Sequence, residues 1–401
     1  MKNREAILRA ADAMYAPVKR KSSLKALPDY RASIFRLKAS SLKEFSGVNG
    51  VRAETFIKRF LTSYKVVSFA GIDKNSGKTT ALNKVISAFQ GEVIFGLTSI
   101  GIDGEETDQV TNTPKPRIFV PEGTIFATAR NLLRSCDVTK EILDVTDIST
   151  PVGEVIIIKA HSAGYIEISG PSTAAQSRIV IDKMKRYGAT KILVDGALSR
   201  KSHAVPMVSD CVIISAGASI SPDMTAVINI TGNLLDKLKV EQLQDKIILK
   251  AVKKTDNETK IVVFNTEGKK VYKSGTNSFA DAGRSISDAA NIIFINGAVL
   301  DSNVESLIKN IDRSKTDIKK VQIIVLDGTK LFIKPDLMGF LKKLGIGIRA
   351  VNTITVPFIT ANPHSPQGHS YNKSEFVKAL GKKTKTSIID VVGGDQYEAH
   401  A

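Results

Sequence analysis

The sequence predicts an α/β protein: a mainly parallel sheet covered by helices, preceded by a basic helical segment and followed by a second α/β domain. Three observations lead there. From Lys65 onward, short β-branched or apolar runs alternate with helical stretches, the pattern of strands feeding crossover helices. At 401 residues the chain is longer than one hydrophobic core usually organises. The first 62 residues carry 14 Lys and Arg against 5 Asp and Glu, so roughly +9 of the net charge of +17 sits in that segment.

The hydrophobic share of 42% and charged share of 24% describe a folded globular chain rather than a disordered one. No run of 18 apolar residues occurs, so no transmembrane helix is expected, and Met1 to Arg20 lacks the apolar core of a signal peptide. Cys136 and Cys211 are far apart in sequence, which argues against a disulfide scaffold or zinc–cysteine site and fits a reducing cytoplasm. Tryptophan is absent and aromatics make up 6%, against a stacking platform for single strands. A nucleic-acid partner for the basic segment is therefore the weaker expectation.

Residues 1–62 read as short helices punctuated by Pro17, Pro28 and the Gly47–Gly50 turn. Within them, Ser46 to Ile57 resembles the hairpin of a helix-hairpin-helix, with Asn49 where a Gly is usual; a plain packing corner between two helices explains the same residues. In residues 63–245 the expected strands are Lys65–Ala70, Glu92–Leu97, Glu154–Lys159, Tyr165–Ser169, Lys191–Asp195 and Cys211–Ser215. Helices are expected at Gly77–Phe89, Thr124–Cys136, Thr173–Tyr187 and Ser221–Lys239, and a long loop at Thr98–Thr113. Residues 246–401 form the second block. Its strands are expected at Lys260–Asn265, Asn291–Asn296, Lys320–Leu326, Ile346–Ala350, Thr353–Thr360 and Ser387–Val391, with helices at Val304–Ile311 and Lys334–Leu344 between them.

The strongest chemical signal is the run from Val66 to Thr80. An apolar strand enters a glycine-bounded loop, Gly71-Ile72-Asp73-Lys74-Asn75-Ser76-Gly77-Lys78-Thr79-Thr80, and a helix follows at once. Loop amides and a helix N-terminus favour phosphate, by direct N–H donation and by the helix dipole. Gly77 permits close backbone approach, Lys78 reaches the β- and γ-phosphates, and Thr79 supplies a hydroxyl to Mg²⁺. Gly71, Asp73, Asn75, Ser76 and Thr80 complete the expected nucleotide-binding set. The domain of residues 63–245 thus reads as a P-loop NTPase domain with ATP and Mg²⁺ as its ligands. Five residues, rather than the usual four, separate Gly71 from Gly77.

Such a loop needs an acid at the end of a nearby strand. Asp195, closing the run Lys191-Ile192-Leu193-Val194, is the first choice as catalytic and metal-binding carboxylate; a turn-forming Asp-Gly is its bland alternative, and Asp327-Gly328 shows the same pattern without a P-loop. Asp103, in the loop after the next strand, is a second metal-ligand candidate, with Glu105, Glu106 and Asp108 as weaker versions. No Asn-Lys-x-Asp motif follows a strand, since Asn372-Lys373-Ser374-Glu375 opens a helix, so ATP is preferred to GTP. Ser169 to Thr173 either lends donors to an anion or merely caps a helix through Ser172. Ser199 to His203 either holds an anion or faces solvent. The spacing of His364 and His369 does not suit two zinc ligands on one helix, and their Pro- and Gly-rich run reads as a structured functional loop.

The long spacing gives the loop a relation. It resembles that of dethiobiotin synthetase and the cobyrinic-acid amidase ATPase domains, Gly-Thr-Asp-Thr-x-Val-Gly-Lys-Thr, matched at Gly71, Asp73, Gly77, Lys78 and Thr79, with Lys74 and Ser76 departing. More of the chain is similar to the P-loop subunit of the lysine 5,6-aminomutase reactivase. The likeness lies in the basic start, Phe95 to Glu105, Val194-Asp195-Gly196-Ala197 and the Asn362-Pro363 loop. That resemblance implies an ATPase working with a second reactivase subunit to release damaged cobalamin from an adenosylcobalamin-dependent aminomutase. A small-molecule ligase like dethiobiotin synthetase and a nucleic-acid-binding ATPase remain the alternatives.

Overall fold

Val66 to Ala70 is buried on both faces, as a central parallel strand requires, and becomes the first strand of the core. The computed structural model describes residues 48–100, 117–196 and 208–399. Along the chain these form α1 (Val48–Leu61), β1 (Val66–Gly71), α2 (Lys78–Phe89), β2 (Phe95–Ser99), β3 (Ile118–Val120), β4 (Ile125–Ala129), β5 (Lys140–Thr150), β6 (Gly153–Ala160), β7 (Gly164–Ile166), α3 (Ala174–Arg186), β8 (Lys191–Asp195), β9 (Cys211–Gly217) and α4 (Met224–Leu238). There follow α5 (Lys246–Lys253), β10 (Ile261–Phe264), β11 (Lys270–Ser274), α6 (Phe279–Arg284), β12 (Ile292–Ile295), β13 (Val299–Leu300), α7 (Asp301–Lys309), β14 (Gln322–Val325), β15 (Leu331–Phe332), α8 (Pro335–Leu344) and β16 (Gly347–Ala350). The described chain closes with β17 (Phe358–Asn362), α9 (Lys373–Thr384), β18 (Ser387–Ile389) and β19 (Gln396–Tyr397).

Ten strands make one sheet in the order β19-β18-β17-β9-β1-β8-β2-β4-β6-β5. Neighbours from β18 to β4 are parallel; β19, β6 and β5 are antiparallel additions at the edges. Alternation of side chains divides its coverage. Val67, Phe69 and Leu193 pack under α1 and α2 with Phe56, Ile57, Leu82 and Val85. The other face carries α3, through Val180 and Met184, and α4 and α9, through Val227, Leu235, Phe376 and Leu380. A second, mixed sheet runs β11-β10-β12-β14-β16, covered by α6, α7 and α8 on one side and α5 on the other. The sheets meet where Gly328 presses on the C-terminus of α4: a Cβ there would lie 2.1 Å from the Lys237 carbonyl oxygen.

The α/β class, the mostly parallel sheet and the second sheet match expectation, and the departures have physical reasons. Thr124–Cys136, expected as a helix, is β4 followed by a 3-10 turn, Arg130–Ser135. Ile125 to Ala129 is buried throughout between β2 and β6, and that burial overrides a helical spacing of apolar residues. Thr124 caps no helix; its Oγ1 donates to the Pro121 carbonyl at 2.8 Å. The strand β5 escapes the sequence because register shifts along it, with Asp147 at φ 57°, break its two-residue period. Residues 246–401 divide between the sheets: β10, β11, β12, β14 and β16 build the second, β13 and β15 pair with each other apart from it, and β17, β18 and β19 return to the first beside β9. Phe358 at the start of β17 meets Phe56 edge to face, with centroids 5.4 Å apart. At the N-terminal end, Val48 to Gly50 is already helical, so no hairpin turn lies within Val48–Leu61. Residues 1–47 lie outside the described residues. Among those described, no helix is long and apolar enough to cross a membrane.

Cys211 opens β9 in the centre of the large sheet. Burial, with the Asp210 carboxylate adding to it, pushes its thiol up to about 12 from an ordinary 9.0. The folded state therefore holds this proton more tightly than the unfolded chain. Its contribution is complete below pH 9 and is lost as pH rises from about 9 towards about 12. We expect wild type to lose about 2 kcal/mol from this group between pH 9 and 10.5, a fall missing in Cys211→Ala. Urea unfolding of both proteins across that range checks it.

Candidate functional site

The candidate phosphate-binding loop grows from the C-terminal end of β1. Ile72 N donates to the Ser215 carbonyl on β9 at 3.1 Å, which fixes the loop's entry. The Asp73 carboxylate accepts from Lys74 N at 2.8 Å, so this acid shapes its own turn. Asn75 takes φ 58° and Gly77 φ 97°, left-handed positions of the kind from which anion-binding backbone concavities are built. Gly77 is also the N-cap of α2, with no side chain capping the first turn and no acid within it. A positive helix end thus faces the loop, ready for an anion.

Asp195 ends β8, the strand hydrogen-bonded directly to β1. Its carbonyl accepts from Ile100 N at 2.8 Å, and Gly196 N donates to the Phe69 carbonyl at 3.0 Å, so both neighbouring strands hold its backbone. Lys78 Nζ lies 3.0 Å from Asp195 Oδ1, with the two side chains 24% and 19% exposed. The structure therefore brings together the cation and acid picked from the sequence. Asp103, Glu105, Glu106 and Asp108, and the run Ser199 to His203, lie outside the described residues.

Other elements enclose the loop. Thr80, Ser76 and Gly77 share a small pocket with Thr360, Asn362 and Asp390, at the C-terminal ends of β17 and β18. Asp390 is 2% exposed, and its Oδ1 accepts from Val392 N and Gly393 N at 2.9 and 2.8 Å, so it shapes the pocket wall. Gly217, ending β9, is the floor beneath Ser76: a Cβ there would come within 3.0 Å of the Ser76 Cα and carbonyl oxygen. Gly217→Ala must displace the loop, and nucleotide affinity is expected to fall about tenfold, the equivalent of one well-made hydrogen bond to charge. Calorimetric titration beside a melting curve checks that the loss is local. Sequence reasoning passed over Gly217, Thr360 and Asp390. The signal was apolar strands ending in polar or glycine residues, Ala361-Asn362 and Ile389-Asp390, which becomes legible only once the strand order is known.

The remaining candidates have structural partners. Thr173, not Ser172, caps α3, its Oγ1 accepting from Gln176 N at 3.3 Å, while Gly170 N donates to Ser99 Oγ at 2.8 Å. Asn372 caps α9, accepting from Glu375 N at 3.1 Å. Asp327 accepts from Thr329 N at 2.8 Å, as a turn-forming residue does. The His364 ring nitrogen Nδ1 lies 2.9 Å from Ser370 Oγ, and His369 Nε2–H donates to the Ala218 carbonyl at 2.8 Å.

For Mg²⁺, Thr79 and Asp195 provide a hydroxyl and a carboxylate, the hard oxygen donors this ion prefers in partly hydrated sites. That donor chemistry fits. Comparisons with models of protein families, with curated proteins and with solved structures gave no match. The geometry of the site carries the functional reading.

Proposed function

We propose that this chain binds a nucleoside triphosphate, ATP by preference, together with Mg²⁺, and hydrolyses it. One observation carries the reading: Lys78 is paired at 3.0 Å with an acid from the adjacent strand, at the edge where the loop and the N-terminus of α2 converge. Open α/β sheets bind ligands at that edge. Loop amides and the α2 dipole hold the phosphates, and Lys78 exchanges its Asp195 partner for the β- and γ-phosphate oxygens. Asp195, released, orients the attacking water or the metal's water shell. Mg²⁺, when bound, neutralises charge on the phosphate oxygens; Thr79 and Asp195 would hold it, with Asp103 the further acid proposed from sequence. Asn362 lines the pocket beside Thr80, its amide nitrogen directed to the Asn75 carbonyl and its amide oxygen accepting from His364 N.

The work done by hydrolysis is proposed from the resemblance to the reactivase P-loop subunit: with a second subunit, nucleotide turnover would free damaged cobalamin from an adenosylcobalamin-dependent aminomutase. Phosphate release from Mg·ATP, measured with such an aminomutase and its partner subunit, with small carboxylates and with DNA or RNA, tests the assignment. Stimulation by the protein partners supports it. Turnover only with a small carboxylate replaces it with a ligase, and stimulation by nucleic acid that fades with salt replaces it with a nucleic-acid ATPase.

A further inference from the structure

We infer that Ser219 is a positioning residue for the phosphate-binding loop, acting by turning one peptide plane; the inference rests on the nucleotide reading above. Ser219 lies two residues beyond β9, and its Oγ donates to the Lys74 carbonyl at 3.0 Å. A trans peptide is flat, with its carbonyl and its amide N–H pointing in opposite directions. Holding the Lys74 carbonyl towards Ser219 therefore turns the Asn75 N–H to the opposite side, into the concavity that receives phosphate. Asn362 Nδ2, at 3.5 Å from the Asn75 carbonyl, acts more weakly on the next plane and so on the Ser76 N–H. The left-handed Asn75 lets the two amides converge.

This device needs Ser219 itself to be held. Gly217 packs against Ser76. His369 Nε2–H donates to the Ala218 carbonyl at 2.8 Å, and the Tyr371 hydroxyl donates to the Ser221 carbonyl. The Pro- and Gly-rich run after β17 thus has a role: it braces the segment that orients the loop from outside. None of these groups needs to touch the nucleotide.

The experiment titrates ATP, ADP and adenosine into the full-length wild type, Ser219→Ala, Ser219→Thr and Lys78→Ala, with a melting curve for each. Ser219→Ala is expected to bind ATP and ADP about fivefold more weakly, the value of one neutral hydrogen bond, with adenosine affinity unchanged and a melting temperature lowered by no more than about 4 °C. Ser219→Thr, which keeps the hydroxyl, is expected to restore phosphate affinity. Unchanged ATP affinity in Ser219→Ala, an equal loss for adenosine, or failure of the Thr variant to recover would overturn the inference. Lys78→Ala separates the two claims: if it binds ATP like wild type, the nucleotide reading itself falls. If it loses ATP while Ser219→Ala does not, only the positioning role fails.

Discussion

Lys78→Ala is expected to abolish productive nucleotide binding and to leave no measurable Mg²⁺-dependent phosphate release. The side chain is only 24% exposed, so its ammonium acts where water screens poorly. A cation placed on developing phosphate charge is worth about 10²–10³ in rate, and charged hydrogen bonds add about 1.5–3 kcal/mol each. Asp195→Asn should part company with it. That variant removes the carboxylate paired with Lys78 at 3.0 Å, so nucleotide binding without metal should hold or tighten while turnover falls about 10²-fold. Unaltered turnover in Lys78→Ala would dismiss the site altogether, and parallel losses in both variants would dismiss the separate roles given to them.

The second large effect concerns stability. Lys191→Met is expected to cost about 2–4 kcal/mol, because it strips a buried cation from the two carbonyls it bonds. Lys191 is 3% exposed; its Nζ donates to the Leu61 and Tyr64 carbonyls at 2.9 and 2.7 Å and sits 4.4 Å from the Phe89 ring centre. It thereby ties the end of α1, and the turn after it, to the strand carrying Asp195. Methionine keeps the length of the stem, so the loss reports the ammonium rather than a cavity. A urea midpoint that falls with an unchanged slope is the expected result.

The same lysine gives a pH signature. Burial lowers its pKa from 10.5, so the unfolded chain holds this proton more tightly than the folded one. Its contribution to stability accordingly rises with pH, from the lowered folded value up to 10.5, and is lost as pH falls through that window. This slope is opposite in sign to that of Cys211, and each is isolated by comparing wild type with its own variant. Lys84 makes a related tie, its wholly buried side chain 3.3 Å from Glu54 across α1 and α2.

The parts legible in the sequence share one property: their signal is local. A buried strand, a left-handed glycine and an uncapped helix start are written within fifteen consecutive residues, Val66 to Thr80, and the structure has them in that order. Asp195 was legible because an acid closing an apolar strand is also a local pattern. Where the decision was made by distant neighbours, the sequence misled. Ile125 to Ala129 has helical spacing, yet β2 and β6 bury it as a strand. Lys191 reads as the polar start of a strand, and only the end of α1, 127 to 130 positions earlier, gives its ammonium a purpose.

By itself, then, the sequence determined the α/β class, the loop from Gly71 to Thr80 and the acid expected to serve it, since periodicity and turn chemistry act over a few residues. The tertiary structure alone decided that β8 lies beside β1, so that Lys78 and Asp195 meet, and that β17 leaves the second block to bring Asn362 against Gly77, 3.1 Å from where its Cβ would be. Strand order is set by which apolar faces bury one another across hundreds of residues. No local pattern encodes that choice.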